Sequence, residues 1–210
     1  MNYRCWPAPV LLLTVVLLSA CRSAPSVKLE ESERVRLYQA KSDQLVTLSA
    51  WNMEGRLAVS NEADGGSGQF RWNRNTAGSR MDFHGALGRG AWKLEANEQG
   101  AELTLADGTV HRADSIDQLV QQQVKWEIPV ESLSWWVRGL SIPGKFRERV
   151  IDGEGNISKL LQDGWTIEYD RYRIFGGLNL PVKLTAHQGK WKVKLAIRSW
   201  EFNGAPVEND

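Results

Sequence analysis

The chain is 210 residues long, with 26 basic and 25 acidic side chains and a formal net charge of +1. This balance gives no support for a nucleic-acid-binding protein or for a polybasic membrane patch. It carries ten tryptophans, a residue that suits cores, ligand cavities and membrane interfaces because it combines a large apolar area with one polar group.

The first 21 residues have the layout of an export signal. Arg4 precedes an uncharged apolar run from Val10 to Leu18, which is shorter than the roughly 20 residues that a membrane-spanning helix needs. The sequence Leu18-Ser19-Ala20-Cys21 resembles a bacterial lipobox, in which the cysteine is acylated and becomes the first residue of the mature chain. We predict a lipoprotein signal peptide over residues 1–20 and lipidation of Cys21; an ordinary signal peptide with an incidental cysteine is the alternative.

Cleavage before Cys21 also fixes the composition of the mature chain. It removes Arg4 and Cys5, which leaves 25 basic and 25 acidic side chains and one thiol. A single thiol can form neither an internal disulfide nor a cysteine-based zinc site. We assign residues 21–27 to the lipidated N-terminus and a tether, and residues 28–210 to a single domain that is long enough for a substantial core.

The domain begins with a predicted amphipathic helix within residues 28–50, with apolar positions at Val35, Tyr38, Leu45 and Leu48. Two blocks of period-two alternation follow, at 51–112 and 165–198, and they predict about nine or ten antiparallel strands with one covered face. The glycine-rich stretch 64–68 is predicted as a loop, and Asp107-Gly108 as a hairpin turn.

Two short helices are predicted between the blocks. Asp114 is a suitable N-cap for the first, since Ile116, Leu119 and Val120 follow at helical spacing. Pro129 opens the second helix and Gly139 ends it.

The whole pattern predicts a mainly β fold: a strongly curved antiparallel sheet, or open half-barrel, closed by a lid of about three helices. Such a shape can enclose a hydrophobic cavity in place of a solid core. Alternation points six large apolar side chains inward, and we assign them to an acyl-chain cavity as a hypothesis: Phe70, Trp72, Met81, Phe83, Trp92 and Leu94.

The search for catalytic chemistry finds no nucleophile motif and no metal-spaced histidine pair, so we predict neither an enzyme nor a cofactor. The glycine-rich stretch from Gly85 to Gly90 joins two strands and carries Leu87. A leucine between glycines in a hairpin connection is predicted to be an exposed apolar tip that touches a membrane or a partner. The alternative is that Leu87 tucks against a neighbouring strand.

Several motifs, taken in order and spacing after the lipobox, resemble the LolB family of Gram-negative outer-membrane lipoproteins. They are Gly55-Arg56-Leu57-Ala58-Val59, Phe70-Arg71-Trp72, Ala86-Leu87-Gly88, Trp92-Lys93-Leu94-Glu95, Leu133-Ser134-Trp135-Trp136-Val137-Arg138-Gly139-Leu140, Pro143-Gly144, Trp165, Tyr169, Pro181 and the segment Trp191–Trp200. The resemblance covers nearly the whole chain. It departs at His84-Gly85-Ala86, where the family often has a polar residue and a proline before the leucine.

The resemblance implies a receptor anchored through Cys21 to the periplasmic face of the outer membrane. It implies that the receptor accepts triacylated lipoproteins from the periplasmic carrier LolA in a hydrophobic cavity and inserts them into the membrane without ATP. Leu87 matches the family's membrane-insertion leucine, and Arg22 stands where an aspartate would signal inner-membrane retention. The expected partners are LolA, lipoprotein cargo and outer-membrane lipid, and the protein is expected to be a monomer that binds no nucleic acid. A structural lipoprotein with a filled core is the alternative, and a lipid-modifying enzyme is disfavoured by the missing nucleophile motif.

Overall fold

The computed structural model describes residues 29–63, 65–85, 90–124, 127–202 and 205–206. The predicted signal peptide, the tether, Cys21 and Leu87 lie outside the described residues. Within these ranges, no helix is both long and apolar enough to cross a bilayer.

The helical elements stand before and between the two blocks of strands, as predicted. Helix α1 spans Glu31–Val46, α2 spans Ile116–Leu119 and continues as a π-helical segment over Val120–Val124, and α3 spans Val130–Trp136. Pro129 precedes α3, and Gly139 follows it with a left-handed φ of +74°. The N-cap of α2 is Ser115, whose side chain accepts a hydrogen bond from the Gln118 amide, and not the predicted Asp114.

The strands form one antiparallel sheet. Their bounds are β1 Trp51–Ser60, β2 Gly65–Asn75, β3 Gly78–Gly85, β4 Trp92–Asn97, β5 Gly100–Leu105, β6 Val110–Ala113, β7 Phe146–Ile151, β8 Ile157–Gln162, β9 Trp165–Phe175, β10 Leu178–Gln188, β11 Trp191–Phe202 and β12 Ala205–Pro206. Eleven of them follow the order β6-β5-β4-β3-β2-β1-β11-β10-β9-β8-β7, and β12 pairs with β11. The path ends at β6 and β7 without closing, which confirms the predicted open sheet with three helices.

Two parts of the sheet differ from the prediction. Residues 65–68 are not a loop: they begin β2 and pair with Leu57–Ser60 of β1. Strands β7 and β8 were not predicted, because the register of their pairing shifts twice and this breaks the alternation of buried and exposed residues.

Most of the large apolar side chains of the sheet are buried on one inner face, and the helices pack on this face. Helix α2 packs on β4, β5 and β6, while α1 packs on β7 and β10. One part of the inner face is filled by tryptophans: the Trp51 ring lies 5.2 Å from Trp72 and 5.4 Å from Trp200, both edge-on. Edge-on aromatic pairs each add about 0.5–1.5 kcal/mol beyond the burial of their area.

Gly55 allows β1 and β11 to approach at the point where their register shifts, between Glu54 and Gly55. A Cβ at position 55 would lie 2.3 Å from the carbonyl oxygen of Ala196. No side chain fits at that distance from a paired backbone, so this bulge depends on glycine.

We predict that Gly55→Ala destabilises the domain by about 1–3 kcal/mol, the usual cost of forcing an atom into a packed site. Urea-induced unfolding measures the free energy. The matched control is Gly153→Ala, because a Cβ at Gly153 meets no atom of the described part of the chain within 4 Å. Equal stabilities of the two variants would contradict the proposed close approach.

Candidate functional site

A cavity of about 810 Å³ lies on the inner face of the sheet. Strands β1 to β4, the β5–β6 turn, the π-helical segment and the first residue of β11 form its walls. The described residues that line it are Val59, Asn61, Gly65, Gly66, Ser67, Phe83, Gly85, Gly90, Ala91, Trp92, Leu105, Ala106, Asp107, Gln123, Val124 and Trp191.

The cavity exists because the inward-facing side chains of β2 become smaller toward the N-terminal end of the strand. Trp72 is paired with Met53 of β1 and with Met81 of β3, and Phe70 is paired with Phe83 of β3. Residues directly opposite each other in an antiparallel pair point to the same face. The next two inward positions of β2 are glycines, so the inner face is filled at one end of the strand and hollow at the other.

These two glycines are Gly68 and Gly66. Gly68 lies opposite Gly85 of β3 and Leu57 of β1. Gly66 lies opposite Val59. Among the described residues of these three strands, only Leu57 and Val59 carry side chains into the space that aromatic rings occupy further along.

Aromatic rings form one wall of the cavity. Phe83 and Trp92 are stacked with their ring centroids 5.4 Å apart and their planes at 19°. Phe70 contacts the Trp92 ring edge-on at 6.4 Å. Stacked and edge-on arrangements are those that aromatic pairs favour, so this wall is formed by rings that pack against one another.

The structure separates the six side chains predicted to line a cavity. Phe83 and Trp92 line it. The other four are buried on the same inner face but are not among the described lining residues: Phe70, Trp72, Met81 and Leu94. The positions that flank residues 86–89, Gly85 and Gly90, both line the cavity, while Leu87 itself lies outside the described residues.

The sequence interpretation missed several lining residues. Trp191 and Val59 follow the alternation of their strands, and this signal could have found them. Val124 and Gln123 reach the cavity from a π-helical segment, whose wider turn is invisible to a search for the ordinary helical period.

Asp107 is the only ionisable side chain among the described residues that line the cavity. Its Oδ1 accepts a hydrogen bond from the Thr109 amide at 2.9 Å. This hydrogen bond lowers the pKa of Asp107 below its ordinary value, so the carboxylate stays ionised at neutral pH. The remaining lining is mostly apolar with a few neutral polar groups, which is the usual composition of a site for a small apolar ligand.

Directional hydrogen bonds fasten α3 to the sheet. The indole nitrogen of Trp136 donates to Gln162 Oε1 at 2.8 Å, and the Tyr169 hydroxyl donates to the Trp136 carbonyl at 3.0 Å. The Gln162 amide also donates to the Ile142 carbonyl at 3.0 Å. These polar groups are buried and satisfied together, so they hold α3 in one position.

Arg138 joins the ends of two helices. Its buried guanidinium donates to the carbonyls of Ser134 at 3.0 Å, Leu45 at 3.2 Å and Leu48 at 3.4 Å. Burial lowers the pKa of Arg138 to about 10, so it still carries its charge at pH 7. A cation is stabilised by the carbonyls at a helix C-terminus, and here it binds the end of α1 to the end of α3.

Asp117 links the cavity wall to α3. Its Oδ1 accepts a hydrogen bond from the Val130 amide at 2.6 Å, and this amide belongs to the first turn of α3. Burial raises the pKa of Asp117. The α2 and π-helical segment, which carries Gln123 and Val124 into the cavity, is thereby tied to the anchored helix.

Comparisons with known proteins identify the family of this chain. Residues 49–200 match the family model described as Outer membrane lipoprotein LolB. The chain belongs to the LolB family. The Outer-membrane lipoprotein LolB of Pseudomonas paraeruginosa is 34% identical over 188 residues, which cover 89% of this chain and 92% of the relative. That of Pseudomonas putida strain GB-1 is 31% identical over the same shares.

Among solved structures, a LolA superfamily protein from Nitrosomonas europaea matches with a TM-score of 0.53 at 7% identity, over 82% of this chain and 94% of that chain. At this identity the match shows the fold alone. Together the comparisons confirm the family predicted from the sequence and the assignment to outer-membrane lipoproteins.

We predict that Asp117→Ala lowers the free energy of unfolding by about 1–2 kcal/mol, because the first turn of α3 loses the group that satisfies its amide. Asp117→Asn keeps an acceptor oxygen and should recover most of the loss. Chemical denaturation of both variants measures the difference. If Ala and Asn prove equally destabilising, the hydrogen bond to Val130 is not what stabilises the wall.

Proposed function

We propose that the protein is an outer-membrane receptor that accepts triacylated lipoproteins from the carrier LolA and inserts them into the membrane, with its own anchor on Cys21. The observation that carries this proposal is the hollow, mostly apolar end of the sheet. A structural lipoprotein with a filled core is not expected to contain an 810 Å³ cavity bounded by glycines.

The size of the cavity suits acyl chains. At about 30 Å³ per carbon, close to the volume share of a water molecule, a sixteen-carbon chain needs roughly 500 Å³. The cavity therefore holds one such chain with room to spare. We propose that Phe83 and Trp92 contact the chain. Buried on the same inner face, outside the described lining, are Phe70, Trp72, Met81 and Leu94.

The energetics favour a handover between two apolar sites. Burying an acyl chain is worth about 0.8 kcal/mol per methylene, or on the order of 10 kcal/mol for a long chain. A chain that moves directly from one apolar cavity to another keeps this burial, so transfer can run downhill on a small difference in affinity without ATP. The carrier and the membrane are then the two partners that the receptor must contact, and a monomer suffices for both contacts.

The proposed role of Leu87 lies at the membrane side of this handover. Support comes from its neighbours: Gly85 and Gly90, at the ends of the connection that carries Leu87, line the cavity. A leucine that enters the bilayer from this connection would bring cavity and membrane together.

Brominated acyl chains test binding in the cavity, because bromine quenches tryptophan emission on contact. We expect a monoacylglycerol brominated near mid-chain to quench the mature Cys21→Ala protein. Trp92→Phe and Trp191→Phe should each reduce the quenched emission, since both side chains line the cavity. The control is Trp165→Phe, a tryptophan that is buried but not in the described lining. Quenching that none of the three variants alters would place the ligand elsewhere.

Leu87→Glu tests insertion separately from binding. We expect the variant to fold and to accept cargo from the carrier, because the cavity is unchanged, but to fail to deliver the cargo into liposomes, because a carboxylate resists entry into the bilayer. Leu87→Trp should retain delivery, since tryptophan is tolerated at the membrane interface. Normal delivery by a folded Leu87→Glu protein would exclude the insertion role, and loss of folding would indicate that Leu87 belongs to the core.

A further inference from the structure

Three glycines near the cavity, Gly65, Gly68 and Gly90, are each favoured by a different structural constraint. A Cβ at Gly68 would lie 2.2 Å from the His84 carbonyl oxygen, so β2 and β3 could not pair there with any other residue. Gly90 has a left-handed φ of +68°, which favours glycine. A Cβ at Gly65 would be crowded, at 3.1 Å from both Val59 and Ser60.

None of these constraints, neither a close contact nor a left-handed φ, applies to Gly66 among the described residues. Among the described residues, a Cβ at Gly66 meets no atom within 4 Å, and the φ of Gly66 lies outside the left-handed region. A glycine inside a strand weakens the strand, since it loses more backbone freedom on folding and offers no side chain to pack. Folding alone would therefore favour a larger residue at this position.

A side chain at position 66 would enter the cavity. Gly66 pairs with the buried Val59 and is an even number of positions from Phe70 and Trp72 on β2, but it is exposed where those two side chains are buried. It also lines the cavity. The space that this missing side chain leaves is thus part of the volume open to a ligand.

We infer that Gly66 is a specificity-determining position, whose missing side chain sets how much acyl chain the cavity holds. The inference rests on the proposed function. At about 30 Å³ per carbon, 810 Å³ corresponds to roughly 27 carbons. Two sixteen-carbon chains need about 960 Å³ and therefore more than fill this volume, whereas a single ten-carbon chain takes about 300 Å³ and leaves space.

The test compares a dipalmitoylated cysteine peptide with a single-chain decanoyl peptide of the same sequence. Both are bound to the mature Cys21→Ala protein and to its Gly66→Ala and Gly66→Leu variants. A leucine displaces about four carbons of a ligand that fills the cavity, and each buried methylene changes affinity about fourfold. We expect Gly66→Leu to weaken binding of the dipalmitoyl peptide on the order of 100-fold, and Gly66→Ala about fourfold, while binding of the decanoyl peptide changes less than about threefold.

Stability provides the second readout. Because Gly66 is unfavourable for folding, we expect the thermal midpoint of Gly66→Leu to be unchanged or raised. The matched control is Gly153→Leu, since Gly153 has the same open surroundings and lies in a turn away from the described lining of the cavity. It should leave the affinities for both peptides unchanged.

Each contrary result has a distinct meaning. Equal weakening of both peptides, or a lowered thermal midpoint, would give Gly66 a structural role and overturn the inference. Unchanged binding of both peptides by Gly66→Leu would overturn it as well, with acyl binding itself intact. If the unsubstituted protein binds neither peptide, the proposed function fails, and the inference fails with it.

Discussion

The cross-strand register of β1, β2 and β3 decides which part of the sheet is filled and which part is hollow. Strand β1 is the central element of this arrangement because it pairs with β2 on one side and β11 on the other. Its Val59 lies opposite Gly66 in β2 and opposite Val193 in β11. A slip of one residue would turn every side chain of the strand to the other face, and the tryptophan cluster and the cavity would be lost together.

The inner face fixes this register more strongly than the outer face does. On the outer face, Glu54 accepts hydrogen bonds from Arg71 at 2.6 Å and Arg198 at 3.2 Å, but all three side chains are partly exposed to water. Exposed ion pairs contribute about 0–1 kcal/mol each. The buried contacts of Trp51 with Trp72 and Trp200 add to a large burial of apolar area. The filled end therefore stabilises a sheet whose other end is hollow.

The helical layer is held in two different ways. Helix α3 is fixed by directional bonds, through Trp136 and Arg138, to the strands and to the end of α1. The segment that forms the cavity wall packs on the sheet through Ile116, Leu119 and Val120, which are buried apolar side chains. Apolar packing has no directional requirement, so the hydrogen bond that Asp117 accepts from the Val130 amide is what fixes the position of this wall relative to α3.

The sequence predicts the fold well where the hydrophobic period is regular. Alternation identifies most strands, and Pro129 with Gly139 delimits α3. The prediction from alternation fails at β7 and β8, where the register of the pairing shifts. It also fails at residues 65–68, because a run of glycine and serine has the composition of a loop even when its backbone is paired.

The same limit applies to the cavity. Alternation states which face a side chain joins, but not what stands opposite it in the neighbouring strands. From the sequence, Phe70 and Phe83 are therefore equally good candidates for lining the cavity. In the structure, only Phe83 is among the described lining residues. The family resemblance supplies the class of the protein, while the position of the hollow follows from the register.

A hollow of this kind also affects stability. Side chains that line the cavity make fewer contacts with other protein atoms than side chains in a filled core do, so this end of the sheet contributes less to the stability of the domain. On the proposed function, a bound acyl chain would supply those contacts and stabilise the folded state by mass action. On the proposed function, the same glycines that weaken the free protein therefore increase its affinity for cargo. Release then requires only a competing apolar environment, and the membrane provides one.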